Sequence, residues 1–260
     1  MNNPDIFHSN IIGPIHSRRL GVSLGVNLLP ADGKVCSFDC IYCECGWGRD
    51  HVGGKFPQAA VIAQQLEDKL RAMAAGGEDL DVITFAGNGE PTMHPDFATV
   101  IDATIGLRDT YFPSAKVSVL SNATRISDPK VHAALMRVDN NILKLDGARD
   151  ETVRMIDQPK DSNYSIRRIV DGLKTFDGQL IVQTMFVRGE HNGQQVDNTT
   201  PDEVSEWCDL IREIRPRQVM AYSLDRPTPE GNLTRVSRAE MEKLVQPLVD
   251  EGFDVQVTGV

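Results

Sequence analysis

No stretch of about 18 uncharged apolar residues occurs in the 260-residue chain, which excludes a transmembrane helix. The opening residues, MNNPDIFHSNIIGPIHSRRL, lack the basic-then-apolar order of a secretion signal. A cytoplasmic location with reduced thiols is therefore expected. Basic charge is in short supply: 27 Lys and Arg stand against 37 Asp and Glu, a formal net charge of −10. That balance argues against non-specific binding to nucleic acid, and only Arg18-Arg19 and Arg167-Arg168 form local basic pairs. No internal repeat, low-complexity run or long linker divides the sequence. One α/β domain over residues 1–260 is expected, with its core at about 13–229 and a C-terminal helix and strand at 237–257 packed on it. With 40% hydrophobic residues the core needs no disulfide staples.

Short β-rich runs alternate with helical patterns. The runs read as strands are Leu24–Leu29, Val82–Ala86, Val117–Leu120, Asn141–Leu145, Leu180–Phe186, Val219–Tyr222 and Phe253–Val257. Between them, Val61, Ile62, Leu66, Leu70 and Met73 recur at helical spacing, and Gly76-Gly77 closes that helix. Pro95-Asp96 opens a helix carrying Phe97, Val100 and Ile101 inward. Ser127 is read as the cap of the next, Ser165 of the fourth and Thr200 of the fifth, which carries Val204, Trp207, Ile211 and Ile214. Ser237 and Glu240 form a capping box for the last, in which Pro247 predicts a kink or an early end. Six β-then-α units imply a parallel sheet with crossover helices, closer to a partial (β/α)6 barrel than to a closed eight-unit one. Chemistry in such sheets gathers at the carboxyl ends of the strands.

The five cysteines are unevenly placed. Cys36, Cys40, Cys43 and Cys45 fall in KVCSFDCIYCECGWG, and only Cys208 lies elsewhere. An odd, clustered set suits a metal better than a disulfide framework. Three thiolates spaced as Cys36, Cys40 and Cys43 can wrap one face of an iron–sulfur cube and leave its fourth iron open to a small molecule. A structural zinc site using Cys45 as fourth ligand, and a four-thiolate electron carrier, are the alternatives. Cys45 is otherwise a bystander or a reactive thiol near the cluster. Cys208, beside Trp207, reads as a small buried hydrophobe.

The strand Val82–Ala86 runs into Gly87-Asn88-Gly89-Glu90-Pro91-Thr92. Gly87 and Gly89 allow a sharp turn and close approach to a ligand, and Glu90 offers an acceptor for a positively charged amino group. Taken alone, the motif reads rather as a surface turn with a solvated Glu. Ser121 and Asn122 end the third strand, where short polar side chains suit a ribose, a carboxylate or a plain helix cap. Asp146 ends the fourth, placed either to accept from ribose hydroxyls or to pair with Lys144 or substrate. Gln183 or Thr184 is expected to line the barrel, Tyr222–Pro227 to face substrate, and His94 to serve as a helix-entry residue. The arginines of Gly13–Gly21 suit a carboxylate or phosphate, or an internal ion pair.

Cys36-SFD-Cys40-IY-Cys43, with the aromatic Tyr42 before the last cysteine, resembles the Cys-x3-Cys-x2-Cys signature of the radical S-adenosylmethionine (radical SAM) enzymes. Gly87–Thr92 is similar to that family's Gly-Gly-Glu-Pro motif with one inserted residue. From about Gly13 to Pro229 the chain resembles the subgroup related to the wybutosine-synthesis enzymes of tRNA, but no cysteine precedes Cys36 to build their second cluster. The resemblance implies a [4Fe–4S] cluster on Cys36, Cys40 and Cys43. It also implies S-adenosylmethionine held around Tyr42, Gly87, Gly89, Glu90, Pro91, Ser121, Asn122 and Asp146. An electron donor such as flavodoxin or ferredoxin, and a substrate that is a small molecule, a peptide or RNA, follow from it. The activity implied is reductive cleavage of S-adenosylmethionine to a 5′-deoxyadenosyl radical that abstracts hydrogen from the substrate. The rival is a non-catalytic zinc or iron–sulfur binding module.

Overall fold

The computed structural model describes residues 7–17, 21–48 and 54–259. The pair Arg18-Arg19 lies outside the described residues. Packing divides the chain into two compact units. The first takes Asp5–Cys36 and Gly48–Asn141, and the second takes Ser37–Trp47 with the chain from Ile142 on.

The first unit holds strands β1 (Ile11–Ser17), β2 (Gly21–Val26), β3 (Val82–Phe85) and β4 (Lys116–Ser121), hydrogen-bonded in that order. β1 is antiparallel to β2, while β2–β3 and β3–β4 are parallel. The sheet lies with helices α1 (Ala59–Gly76), α2 (Phe97–Tyr111) and α3 (Pro129–Leu135). The α1 face buries Ile62, Leu66, Leu70 and Met73, but Val61 is exposed because Ile62 takes the inward position. Gly77, in the left-handed conformation, closes α1 as its spacing predicts. Asp128, not Ser127, caps α3: its carboxylate accepts from Lys130 N–H.

The first predicted strand is shifted. The apolar run Leu24–Leu29 suggested its range, yet the ladder ends at Val26 because Asn27 diverts the chain. Its Oδ1 accepts from Leu29 N–H and Asn88 N–H, both at 3.1 Å, and its Nδ2 donates to Leu29 O at 3.1 Å.

The chain enters the second unit within β5 (Asn140–Lys144). β5, β6 (Ile181–Met185), β9 (Gln218–Tyr222) and β11 (Val255–Thr258) follow one another in parallel. Helices α4 (Asp150–Ile156), α5 (Ile166–Lys174), α6 (Pro201–Ile214) and α7 (Arg238–Asp250) complete the α/β pattern. Three further strands, β7 (Val187–His191), β8 (Gln194–Asp197) and β10 (Leu233–Arg235), form a separate antiparallel sheet in the order β10-β7-β8. Neither α4 nor this small sheet was anticipated. Ser165 and Thr200 precede their helices without a side-chain cap; Asp150 accepts from Ile166 N–H in place of Ser165. The Ser237–Glu240 capping box is present, and α7 continues through Pro247 to Asp250. Among the described residues no helix is long and apolar enough to cross a membrane.

Candidate active site

In the first unit the site begins where β3 ends. Val35, the residue before Cys36, bonds the turn on both sides: its N–H donates to Asn88 O and its carbonyl accepts from Glu90 N–H, each at 2.9 Å. This ladder explains Gly89. At φ +131° a Cβ there would lie 2.0 Å from the Val35 carbonyl oxygen, so only glycine lets the two backbones meet. A Cβ on Gly87 would strike the Asn27 side chain at 2.2 Å. Both glycines thus admit protein neighbours that fix the approach to Cys36. Asn88 is an anchor unnoticed in the sequence, buried and bonded to Phe7 N, Phe7 O and Pro30 O.

Glu90 is 2% exposed and its carboxylate meets four donors. Oε1 accepts from Thr92 N at 3.1 Å, Thr92 Oγ1 at 2.5 Å and Ser121 Oγ at 2.8 Å; Oε2 accepts from Asn122 N at 2.6 Å. Burial raises its pKa above the usual carboxylate value, and the four hydrogen bonds oppose that rise. Among the described residues no cationic side chain pairs with it. Pro91 and Thr92 start the 3₁₀ turn Pro91–Met93 that presents the two Thr92 donors. Asn122 continues outward from the same strand end, its Nδ2 donating to Cys36 Sγ at 3.6 Å. His94 is an entry residue, as read from sequence: Nδ1 accepts from Asp96 N–H, which leaves Nε2–H to donate to Pro57 O at 2.8 Å.

In the second unit the segment Ser37–Trp47 lies along residues 156–160. Asp39 N–H donates to Asp157 O, Ile41 N–H to Ile156 O, and Lys160 N–H to Ser37 O, at 2.9–3.0 Å. Two successive turns follow, Cys43 N–H to Cys40 O and Gly46 N–H to Cys43 O. Cys40 is buried with its thiol donating to Asp157 Oδ1 at 3.1 Å. Behind it Lys144 Nζ donates to Asp146 Oδ2 at 2.8 Å and to Tyr42 Oη, Tyr42 Oη–H donates to Asp146, and Nζ lies 4.7 Å from the Tyr42 ring centre. The second oxygen of Asp146 accepts from Met185 N–H at 2.8 Å.

The charges in this group are mutually dependent. Burial and the nearby Asp146 push Asp157 up to about 7, against the pull of Lys144. Burial alone would lower Lys144, but Asp146, Tyr222 and Asp157 outweigh it and raise its pKa. Tyr42 is raised by burial and then by the two carboxylates. Asn198 completes the frame: Nδ2 donates to Asp146 O and Met185 O, and Oδ1 accepts from Val187 N–H.

Of the residues predicted from sequence, Glu90, Pro91, Ser121 and Asn122 gather with Gly87, Gly89 and Cys36 in the first unit. Tyr42, Asp146, Cys40 and Cys43 belong to the second. For Asp146 the pairing with Lys144 is the arrangement found. Thr184 bonds Leu145 O and Trp207 Nε1 on the helix side of its strand, so strand alternation turns Gln183 to the opposite face. The Tyr222–Pro227 stretch divides: Ser223 is buried between Phe186 O and Val236 N, while Arg226 pairs with Glu44. Cys45 and Cys208 are buried. Asp157, Asn198 and Asn88 were missed; an Asp after a seven-residue helix and an Asn before a helix cap carry no spacing signal.

Cys36, Cys40 and Cys43 lie within one eight-residue stretch, and soft thiolates so spaced suit an iron–sulfur cluster. Among the described residues no three His, Cys, Asp or Glu side chains are grouped to hold a single metal ion. A cube spreads its ligands over separate corners, and thiolate is the donor chemistry it takes.

Parallel strands joined by crossover helices, with a cysteine loop and a Glu turn at a strand end, place the chain among α/β enzymes. A radical SAM superfamily model matches residues 32–200, and the chain belongs to that superfamily. Its enzymes use a [4Fe–4S] cluster and S-adenosylmethionine. The chain is 31% identical over 225 residues to a UPF0026 protein of Synechocystis, covering 84% of this chain and 77% of that one. Its fold is similar to Streptococcus suis SuiB bound to S-adenosylmethionine, with TM-score 0.64, 14% identity and coverage of 90% of this chain and 50% of SuiB. It is also similar to TYW1 carrying a lysine–pyruvate adduct, with TM-score 0.61, 14% identity and coverage of 90% and 76%. The chain therefore spans about half the length of SuiB. The mixed α/β fold with a mostly parallel sheet and the kinship by fold with the wybutosine enzymes stand as expected.

Proposed function

We propose that Cys36, Cys40 and Cys43 hold the [4Fe–4S] cluster and that Glu90 receives the amino group of S-adenosylmethionine. When bound, the reduced cluster with S-adenosylmethionine supplies one-electron cleavage to methionine and a 5′-deoxyadenosyl radical, which takes a hydrogen atom from substrate. The carrying observation is Glu90: a buried carboxylate fixed by four neutral donors, with no cation of its own among the described residues. A fixed negative charge in a desolvated place is complementary to an ammonium group. Ser121 and the Asn122 backbone hold that charge, and the Asn122 amide supports the sulfur of Cys36, as hydrogen-bond donors behind metal ligands do. Gly87, Gly89 and Pro91 shape the turn. Tyr42, Lys144, Asp146 and Asp157 give the cysteine loop a hydrogen-bonded backing in which Lys144 offsets carboxylate charge. The electron comes from a flavodoxin- or ferredoxin-type donor.

Anaerobically reconstituted protein with dithionite is expected to form 5′-deoxyadenosine from S-adenosylmethionine, and Cys40→Ala to abolish it. Zinc in place of iron, without that product, would sink the reading. Metal analysis with visible absorption separates a zinc module from an iron–sulfur enzyme.

A further inference from the structure

We infer that His191 is a positioning residue that clamps the cysteine loop from its exit side. Four stretches of the second unit that are distant in sequence meet at this imidazole. Nδ1–H donates to Glu230 Oε2 at 2.7 Å, from the connection that follows β9. Nε2, left as the acceptor, receives Gln158 Nε2–H at 2.7 Å and Asn192 Nδ2–H at 2.9 Å. The ring lies against Trp47, centroids 5.7 Å apart and planes 32° apart. The hydrogen-bonded pair is well shielded, with 12% and 18% of the two side chains exposed, and contact with His191 lowers the Glu230 pKa.

What His191 holds decides its role. Trp47 directly follows the double turn that begins at Cys40, passes through Cys43 and closes at Gly46. Gln158 belongs to the 156–160 segment on which the cysteine loop is hydrogen-bonded, adjoins Asp157, the acceptor of the Cys40 thiol, and sits in the left-handed region at φ +47°. A non-glycine residue there needs its surroundings to keep it in place, and the imidazole provides a bond to its side chain. One ring therefore restrains both the exit of the cysteine loop and the segment beneath it. Asn192 (φ +51°) and Gly193 (φ +75°) make the β7–β8 turn that presents the histidine. Metal sites depend on such outer partners, whose loss typically costs about 10–100-fold in metal affinity.

This inference rests on the proposal that Cys36, Cys40 and Cys43 hold the cluster, but its first readout does not. Trp47 is partly exposed and Trp207, the other tryptophan, is 2% exposed, so acrylamide quenching of the metal-free protein reports Trp47. His191→Ala is expected to raise the quenching constant. It should also lower iron affinity on reconstitution about tenfold. The cluster's midpoint potential, followed by electron paramagnetic resonance, should rise, because admitted water favours the more negative reduced state. His191→Gln, whose amide can both donate to Glu230 and accept from Gln158, should restore most of each loss. Gln158→Ala, which leaves the His191–Glu230 pair intact, should reproduce the iron defect in milder form. A His191→Ala protein that melts earlier but keeps wild-type quenching and potential overturns the inference. Wild-type protein that takes up no iron overturns the cluster proposal, and quenching of the metal-free protein then judges the clamp by itself.

Discussion

Glu90 in the first unit and Asp146 in the second each follow the carboxyl end of a parallel strand, and each is almost completely buried. Their surroundings answer the burial differently. Asp146 sits with Lys144, Tyr42 and Asp157 in a group whose charges offset one another, and a backbone N–H takes its remaining oxygen. Glu90 is met only by hydroxyl and backbone donors, which soften its desolvation without cancelling its charge. A carboxylate that has found its cation inside the fold is framework. One left with neutral donors keeps an attraction to spend on a ligand. The comparison makes opposite demands on the two sites when each is cut.

The largest effect is expected at the framework. Lys144→Met removes the cation from between Asp146, Tyr42 and Asp157 and leaves carboxylates buried without compensation. Loss of one member of such a group costs about 3–5 kcal/mol, read as a lower denaturant midpoint of the metal-free protein. An unchanged midpoint would mean that the group is not the support described.

Glu90→Gln should reverse the balance: a stability loss smaller than that of Lys144→Met, arising because the amide NH2 cannot accept from Asn122 N–H, and S-adenosylmethionine binding weakened about 100-fold, as removing one charge of a buried pair does. Titration of the reconstituted protein by calorimetry checks it. The pH dependence has a definite sign. Glu90 has a raised pKa, so the folded state holds a proton that the unfolded state has released. Its relative stabilisation is full below the ordinary Glu pKa and is lost as pH rises through the raised one. Ligand binding should run the other way, failing as pH falls through the raised pKa and the carboxylate is neutralised. Glu90→Gln should flatten both trends.

The unequal legibility of the two sites has the same physical origin. Cys36-SFD-Cys40-IY-Cys43 and Gly87–Thr92 are readable because ligand spacing and tight turns are local demands, met by neighbours in sequence. The parallel α/β pattern was legible through hydrophobic period, and α7 through its capping box. The partners of Asp146 were not legible as a group, because Tyr42, Lys144 and Asp157 converge only after folding, Tyr42 and Asp157 being 115 positions apart. The β7–β8–β10 sheet escaped for a related reason. Its strands are three to five residues long, and β10 joins from beyond β9, with no alternation long enough to read. The strand ending at Val26 was misplaced because Asn27 acts through Leu29 and the distant Asn88, overriding an apolar run.

Gly89→Ala tests whether the Glu90 turn is also structural for the cysteine segment. The new Cβ would need both a left-handed backbone and space occupied by the Val35 carbonyl. A cost of about 2 kcal/mol is expected, together with reduced iron uptake, because the displaced residue adjoins Cys36. A variant that melts normally and loads iron fully would show that the Val35–Glu90 ladder does not position that ligand.

The smallest expected effect is also the sharpest on the comparison. Ser121 gives Glu90 one of its four donors and accepts from Ala123 N–H, so Ser121→Ala should cost about 1–2 kcal/mol, near the lower end for a hydrogen bond to a charged group because three donors remain. Its more specific consequence is electrostatic. With a donor to the ionised form gone, burial acts less opposed and the Glu90 pKa must rise further. The acid limb of S-adenosylmethionine binding should then move to higher pH, while binding on the alkaline plateau is nearly preserved. Lys144→Met should lower stability and leave that limb where it is, since its charge is already taken by its own carboxylates. If the limb moves with Lys144 and not with Ser121, the assignment of framework and ligand-binding roles must be exchanged.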